Sequence, residues 1–393
     1  MTTAVQLLDA TPTRKKNAGP PGPPNLGGMT VDELKQFLAA NGEQAFRAQQ
    51  IFRWIHKRSA RSFSQMTDLS KPLREKLEKI AAIHRLETAE VQKAADGTRK
   101  YRLRTWDGNL IEAVFIPQAS SPDRNTLCIS SQVGCAMGCT FCATGAMGLE
   151  RHLSAGEIVD QINRVWEDLE ARDGGFIPDP DHDGGQRRVL TNLVFMGMGE
   201  PLHNLDTVMK AVSILTDDEA HQFSSRRITV STSGLLPQMK RLMEESNVQL
   251  AVSLSGTTDA QRVSIMPVNK KYPLGMLLQT CRELPLKARR RITFEYVLLE
   301  GINDAEEDAR RLARILKGLK CKVNLIPFNA HPLSAYKRPS REQTLRFQEI
   351  LRDLELNTLI REARGDDIDA ACGMLGGVKL EQTRASLPVL QQQ

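Results

Sequence analysis

The sequence predicts an α/β fold built on a parallel sheet, with a small helical domain in front of it. Three observations carry that expectation. From residue 126 onward, strand-like and helix-like runs alternate with a regular beat, the signature of repeated βα units. Glycine-rich and polar segments fall where the strand-like runs end. Residues 29–98 instead carry a helical hydrophobic period with capping signals and a surplus of positive charge.

The elements follow in order. Residues 1–28, with Gly19-Pro20-Pro21-Gly22-Pro23-Pro24, are too rich in Pro and Gly to pack and are expected to be a disordered tail. Thr30 and Glu33 form a capping-box pattern before Leu34, Phe37 and Leu38. A second helical run, 45–57, sets Phe46, Ile51, Phe52, Trp54 and Ile55 among Arg47, Arg53 and Lys57, and a third covers 71–83. Aromatics at this spacing are expected in the core rather than stacked on bases. Residues 29–105 hold 16 Lys/Arg against 9 Asp/Glu, a net +7, while the whole chain is only +6. A basic front end on a near-neutral body is read as a module that grips a polyanion, domain 29–98. Residues 99–125 alternate like a hairpin around Trp106-Asp107-Gly108-Asn109 and are expected to link the two parts.

Strands are expected at 126–132, 189–196, 227–232, 249–254, 291–299 and 322–327. Helices are expected at 155–170, 206–216, 236–245, 274–284 and 305–319. Such a sheet is either open or curled into a barrel. The Gly/Pro/Asp-rich stretch 173–186 is read as a surface insertion, and 386–393 as a tail.

Composition narrows the class. With 40% hydrophobic and 25% charged residues the 393-residue chain is ordinary globular material. No stretch nears the roughly 18 apolar residues of a spanning helix, so no membrane association is expected. Met1-Thr2-Thr3-Ala4 opens no secretory apolar region. Seven cysteines in a chain of this length do not suggest a disulfide framework, and free thiols imply a reducing cytoplasm.

Chemistry gathers at the ends of the strands, where parallel βα folds place reactive groups. The first leads to Gly134-Cys135-Ala136-Met137-Gly138-Cys139-Thr140-Phe141-Cys142. Three thiolates in CxxxCxxC spacing can hold three irons of a four-iron cluster and leave one iron open to a small molecule. Zinc is the plain rival, but it usually takes paired CxxC knuckles or histidines, and no second knuckle is present. The second strand leads to Gly197-Met198-Gly199-Glu200-Pro201, a flexible loop with one carboxylate. Others end in Ser231-Thr232-Ser233-Gly234, Ser253-Leu254-Ser255-Gly256 and Pro327-Phe328-Asn329. Singly each is turn chemistry; together on one rim they suit a polar cofactor. Far downstream, Cys372 stands in the polar run Arg364-Gly365-Asp366-Asp367-Ile368-Asp369-Ala370-Ala371-Cys372-Gly373, and Cys128 lies in the first strand. Cys281 and Cys321 sit in apolar contexts and are read as inert core thiols.

These motifs, in this order, resemble the radical S-adenosylmethionine (SAM) family of dual-specificity 23S rRNA/tRNA adenine-C2 methyltransferases. The likeness runs from about residue 29 to 385, and GDDIDAACG joined to CxxxCxxC is its most specific part. It implies a partial (β/α)6 radical SAM barrel over 126–385, with the front domain as an RNA-binding accessory. It implies a 4Fe–4S cluster on Cys135, Cys139 and Cys142, and SAM contacts at Gly199, Glu200, Ser231, Ser253, Leu254, Ser255 and Asn329. It implies that Cys372 accepts a methyl group from one SAM, that a second SAM yields a radical that activates this methyl, and that Glu112 takes the C2 proton. Cys128 then attacks Cys372, releasing product through a transient Cys128–Cys372 disulfide. Ser255 departs from the family's usual histidine. The implied partners are 23S rRNA, tRNA and an external electron donor such as a flavodoxin, acting on a monomer. Three rivals stay open: an adenine-C8 rRNA methyltransferase that confers antibiotic resistance, a radical SAM enzyme acting on a small molecule, and a non-catalytic iron–sulfur or zinc RNA-binding protein.

Overall fold

The computed structural model describes residues 20–118, 124–178, 186–287 and 290–376. Most of the tail 1–28, the middle of the 173–186 stretch and everything after 376 lie outside the described residues.

The front of the chain packs three helices, α1 (Val31–Ala40), α2 (Arg47–His56) and α3 (Lys71–Ile80). Thr30 and Glu33 form a reciprocal cap: Glu33 N–H donates to Thr30 Oγ1 at 3.3 Å, and Thr30 N–H to Glu33 Oε2 at 2.9 Å. Leu34, Leu38, Ile51, Phe52, Ile55 and Leu77 bury one face of each helix in a common core. Phe52 is core, as the pattern requires, but Phe46 is 57% exposed, with the Arg47 guanidinium 4.6 Å from its ring centre. Lys57, Arg58 and Lys79 lie exposed on this domain.

Three antiparallel strands follow: β1 (Glu87–Lys93), β2 (Arg99–Arg104) and β3 (Leu110–Ile116). Because β3 pairs antiparallel with β4 (Thr126–Cys128), the expected hairpin is the edge of the central sheet and not a free connector. The run expected as one strand over 126–132 is also broken. After Cys128 the chain leaves the ladder, and Ser130 bonds to side chains and carbonyls instead. Its N–H donates to Gln161 Oε1 at 2.8 Å and its hydroxyl to Glu112 O at 2.6 Å. The chain then forms β5 (Gln132–Gly134), the single turn α4 (Ala143–Ala146) and β6 (Leu149–His152), with β5 and β6 paired. This detour carries the three cysteines.

Helix α5 (Ala155–Asp173) and the small hairpin β7 (Phe176–Pro178) with β8 (Gln186–Arg188) lead to β9 (Asn192–Phe195), parallel to β4. The βα beat then continues through α6 (Leu205–Thr216), β10 (Ile228–Thr232), α7 (Leu236–Glu245) and β11 (Gln249–Ser253). The short α8 (Asp259–Ile265) and α9 (Leu274–Glu283) precede β12 (Ile292–Leu298); α10 (Glu306–Leu316) precedes β13 (Cys321–Pro327). Helix α11 (Arg341–Asp353) and β14 (Thr358–Ile360), unforeseen in the sequence, complete the order β1-β2-β3-β4-β9-β10-β11-β12-β13-β14. Six βα units thus run parallel from β4, and β14 closes the row as a seventh parallel strand.

The front domain is locked onto α5. Backbones meet so closely there that a Cβ on Gly156 would lie 2.6 Å from Asn25 Nδ2, and one on Gly28 2.8 Å from Gly156 N. Beside them Asp160 is buried, paired with Arg85 at 2.6 Å and accepting from Leu86 N–H at 2.7 Å. Burial pushes its carboxyl up to about 6, although Arg85 opposes this. Arg85→Met leaves that carboxylate short of its partner and is expected to cost about 3 kcal/mol at pH 8. The raised carboxyl takes up a proton in the folded state as pH falls through its pKa, so the loss shrinks at pH 5. Urea unfolding at the two pH values checks this; equal losses would contradict it.

Candidate active site

The cysteine loop is shaped by glycine. Gly134 has φ +74°, and a Cβ there would sit 1.9 Å from Gly148 O, so no side chain fits. Cys135 N–H donates to Gly148 O at 2.9 Å and Cys142 N–H to Cys139 O at 3.1 Å, folding the loop so that all three thiols line one cavity. Burial, reinforced by neighbouring thiols, raises all three above the usual cysteine range. Iron must therefore displace the protons when it binds. A four-iron cluster takes each thiolate on a different iron, and three cysteines on one cavity, with a polar lining beside them, suit that donor set.

The same cavity collects the strand-end residues Gly199, Glu200, Ser231, Ser253 and Asn329. Gly199, at φ +102°, lets the backbone pass Gln132, whose Cβ would lie 2.5 Å from an added one. Glu200 is 4% exposed; Ser233 N–H donates to its Oε2 at 2.8 Å and Leu202 N–H to its Oε1 at 3.1 Å. Burial raises its pKa and these donors pull it back. Asn329 Oδ1 is buried without a hydrogen-bond partner. An unpaired buried acceptor is costly, and here it fits the amine of a polar cofactor.

Leu254 and Ser255 are not brought to this cavity. Both are fully buried, and the Ser255 hydroxyl accepts from Val297 N–H at 3.2 Å. At φ +47° the Ser255 backbone turns away from the strand axis, so the side chain serves the fold instead of the rim.

Cys372 stands between two cavities. It lines the first, and it also lines a second of about 590 Å³ on which Cys128 opens. The second is walled by Val114 and Ile116 on one edge of the sheet and by Asn324 and Ile360 on the other. Its size is within the roughly 300–1,000 Å³ of small-molecule pockets. Both thiols are free. Burial pushes the Cys128 thiol up to about 12, the neighbouring Cys372 adds to this, and Arg361 opposes it. Arg361 lines both cavities and lies 3.8 Å from Glu295. It directly follows β14, a strand of only three residues that leaves no alternating pattern in the sequence.

Glu112 lines neither cavity. It is 3% exposed, and its Oε2 accepts from Gly376 N–H at 2.9 Å. Burial raises its pKa while Lys100 and Arg102 pull it down. Cys281 and Cys321 are buried away from both cavities, as expected of inert thiols.

A triad-bearing loop on the rim of a mostly parallel sheet defines a radical SAM enzyme, and residues 183–313 match the model of the radical SAM superfamily. Residues 24–83 match the ribosomal RNA large subunit methyltransferase N-terminal domain. The dual-specificity RNA methyltransferase RlmN of Anaeromyxobacter dehalogenans is 50% identical over 352 residues, 90% of this chain and 91% of its own. That of Geobacter sulfurreducens is 48% identical over 362 residues, 92% of this chain and 94% of its own. The crystal structure of a radical SAM methyltransferase from Sphaerobacter thermophilus superposes with a TM-score of 0.82 at 45% identity, covering 90% of this chain and 99% of that one. The chain belongs to the RlmN family of dual-specificity RNA methyltransferases. Membership implies a 4Fe–4S cluster and SAM.

Cys135→Ala, Cys139→Ala and Cys142→Ala are each expected to abolish the iron–sulfur absorbance that anaerobic reconstitution gives the parent protein at about four irons per chain. Cys281→Ala, outside the site, should leave iron content unchanged.

Proposed function

We propose that the protein methylates C2 of a specific adenine in 23S rRNA, and in tRNA next to the anticodon, through a methyl group carried on Cys372. The observation that supports this most is the position of Cys372, open at once to the cavity of the three cysteines and to the cavity of Cys128. The relatives named dual-specificity RNA methyltransferases support an RNA substrate. When bound, the cluster supplies one electron for the reductive cleavage of SAM, which gives the radical chemistry that an unactivated sp² carbon requires. Cys135, Cys139 and Cys142 hold it; Glu200, Ser231, Ser253 and Asn329 orient SAM beside it.

The protein's own groups do the rest. The Cys372 thiolate takes the methyl group, forming its S–C bond as the sulfonium S–C bond breaks. Its backbone is fixed for this, with Asn329 Nδ2 donating to Cys372 O at 3.0 Å. The extruded adenine would enter the second cavity; there the methyl carbon on Cys372, having given one hydrogen atom to the radical that the second SAM supplies, would bond to C2, and one electron would return to the cluster as the C2 proton leaves. Glu112 takes the C2 proton once the Gly376 N–H that holds its carboxylate moves aside. Cys128 attacks the Cys372 sulfur, so that an S–S bond forms as the S–C bond to product breaks. The exposed Lys57, Arg58 and Lys79 of the front domain grip the phosphate backbone without reading sequence.

Cys128→Ala is expected to trap protein covalently bound to RNA during turnover, whereas Cys372→Ala loses methylation and keeps its cluster absorption. A Cys128→Ala protein that carries no RNA would sink the two-thiol scheme. Glu112→Gln preserves the acceptor for Gly376 N–H yet should slow methylation by at least about 100-fold. Mass mapping of the modified adenine separates C2 from C8.

A further inference from the structure

Arg262 is fully buried, and among the described residues no carboxylate lies within ion-pair distance of it. It sits on α8 and spans the loops after two strands. Its Nη2 donates to Ser233 O at 2.6 Å and to Ser253 O at 3.3 Å, its Nε to Leu254 O at 3.2 Å, and its Nη1 to Asn269 Oδ1 at 2.8 Å. The strand-end glycine Gly256 lets the backbone of Arg262 pack close: a Cβ there would lie 3.0 Å from Arg262 N. The same helix reaches the cysteine loop, where Thr140 N–H donates to Ile265 O at 3.0 Å.

Carbonyl oxygens satisfy the donors of a guanidinium but do not neutralise it, and a buried charge without a counter-charge is costly. Burial draws its pKa down to about 10; the groups that oppose this are Cys139 first, then Asp259 and Cys281. Asp259 is exposed and occupied, its Oδ1 accepting from Asn269 Nδ2 at 2.7 Å. The other negative groups on this side are Glu200, whose Oε2 accepts from the N–H of the same Ser233, and the three cysteines, which become thiolates when they hold a cluster.

We propose that Arg262 is the fixed counter-charge of the cysteine-held cluster, favouring its reduced form while holding the two SAM-facing loops in register. Reduction adds one negative charge beside the cysteine loop, and a buried cation stabilises that state. The inference rests on the three cysteines holding a cluster. If the parent protein binds no iron, that reading fails; if it binds iron and the potential ignores Arg262, only this inference fails.

The test is a mediated redox titration of the reconstituted holoenzyme, followed by the electron paramagnetic resonance of the reduced cluster. At the parent's midpoint, Arg262→Gln is expected to lower the reduced-to-oxidised ratio at least about tenfold, which is 59 mV for a one-electron couple. Arg262→Lys, which keeps the charge, should remain within about threefold of the parent. A glutamine variant that titrates like the parent, or a lysine variant that shifts as far as glutamine, overturns the proposal. Should Arg262→Gln fail to hold iron, Asp259→Asn decides: loss of that carboxylate should raise the ratio about twofold, and no change overturns the idea.

Discussion

The segment 365–376 runs from the β1–β2 turn to β3, and the hydrogen bonds along it fix where Cys372 stands. Gly365 N–H donates to Asp96 Oδ2 at 3.2 Å, and Ala95 N–H to Asp367 Oδ2 at 3.0 Å. In the middle Asn329 holds Cys372 O, and Ala143 N–H donates to Gly373 O at 2.8 Å. At the far end Thr144 Oγ1 donates to Leu375 O at 2.7 Å, and Gly376 N–H reaches Glu112. Each bond contributes only about 1 kcal/mol net. Their number matters more than their strength, because they tie Cys372 at once to the cysteine loop, to β13 and to the front hairpin. A thiol that must face two cavities cannot sit on a strand; it needs a loop fixed on both sides.

β3 and β4 on one side and β13 and β14 on the other wall the cavity of Cys128 and Cys372, so it is framed by strands from opposite parts of the sheet order. The antiparallel strands β1–β3 extend the sheet on one side and carry Glu112 to the same segment.

Much of this was legible in the sequence because strand ends and glycines announce themselves. The Cys135–Cys142 loop, Gly199-Glu200, Ser231, Ser253 and Asn329 all lie on the rim that the βα beat predicts. What escaped was set by contacts distant in sequence. The expected strand 126–132 breaks at Ser130, because Gln161 and Glu112 supply bonds that no local pattern reveals. Ser255 looked like a rim residue from its place after β11, yet a positive φ and Val297 turn its hydroxyl inward. Arg361 and Arg262 gave no signal of their own, one following a three-residue strand and the other lying on a seven-residue helix. Their importance comes from the charges around them, which only the folded chain assembles.

The central claim is that Cys372 carries the transferred carbon. It is tested most directly by incubating the reconstituted, reduced protein with methyl-labelled SAM in the absence of RNA and mapping the label by peptide mass spectrometry. The account predicts one labelled methyl group on the peptide of Cys372 and none on that of Cys128. Label on any other residue, or no label while RNA methylation proceeds normally, would contradict it.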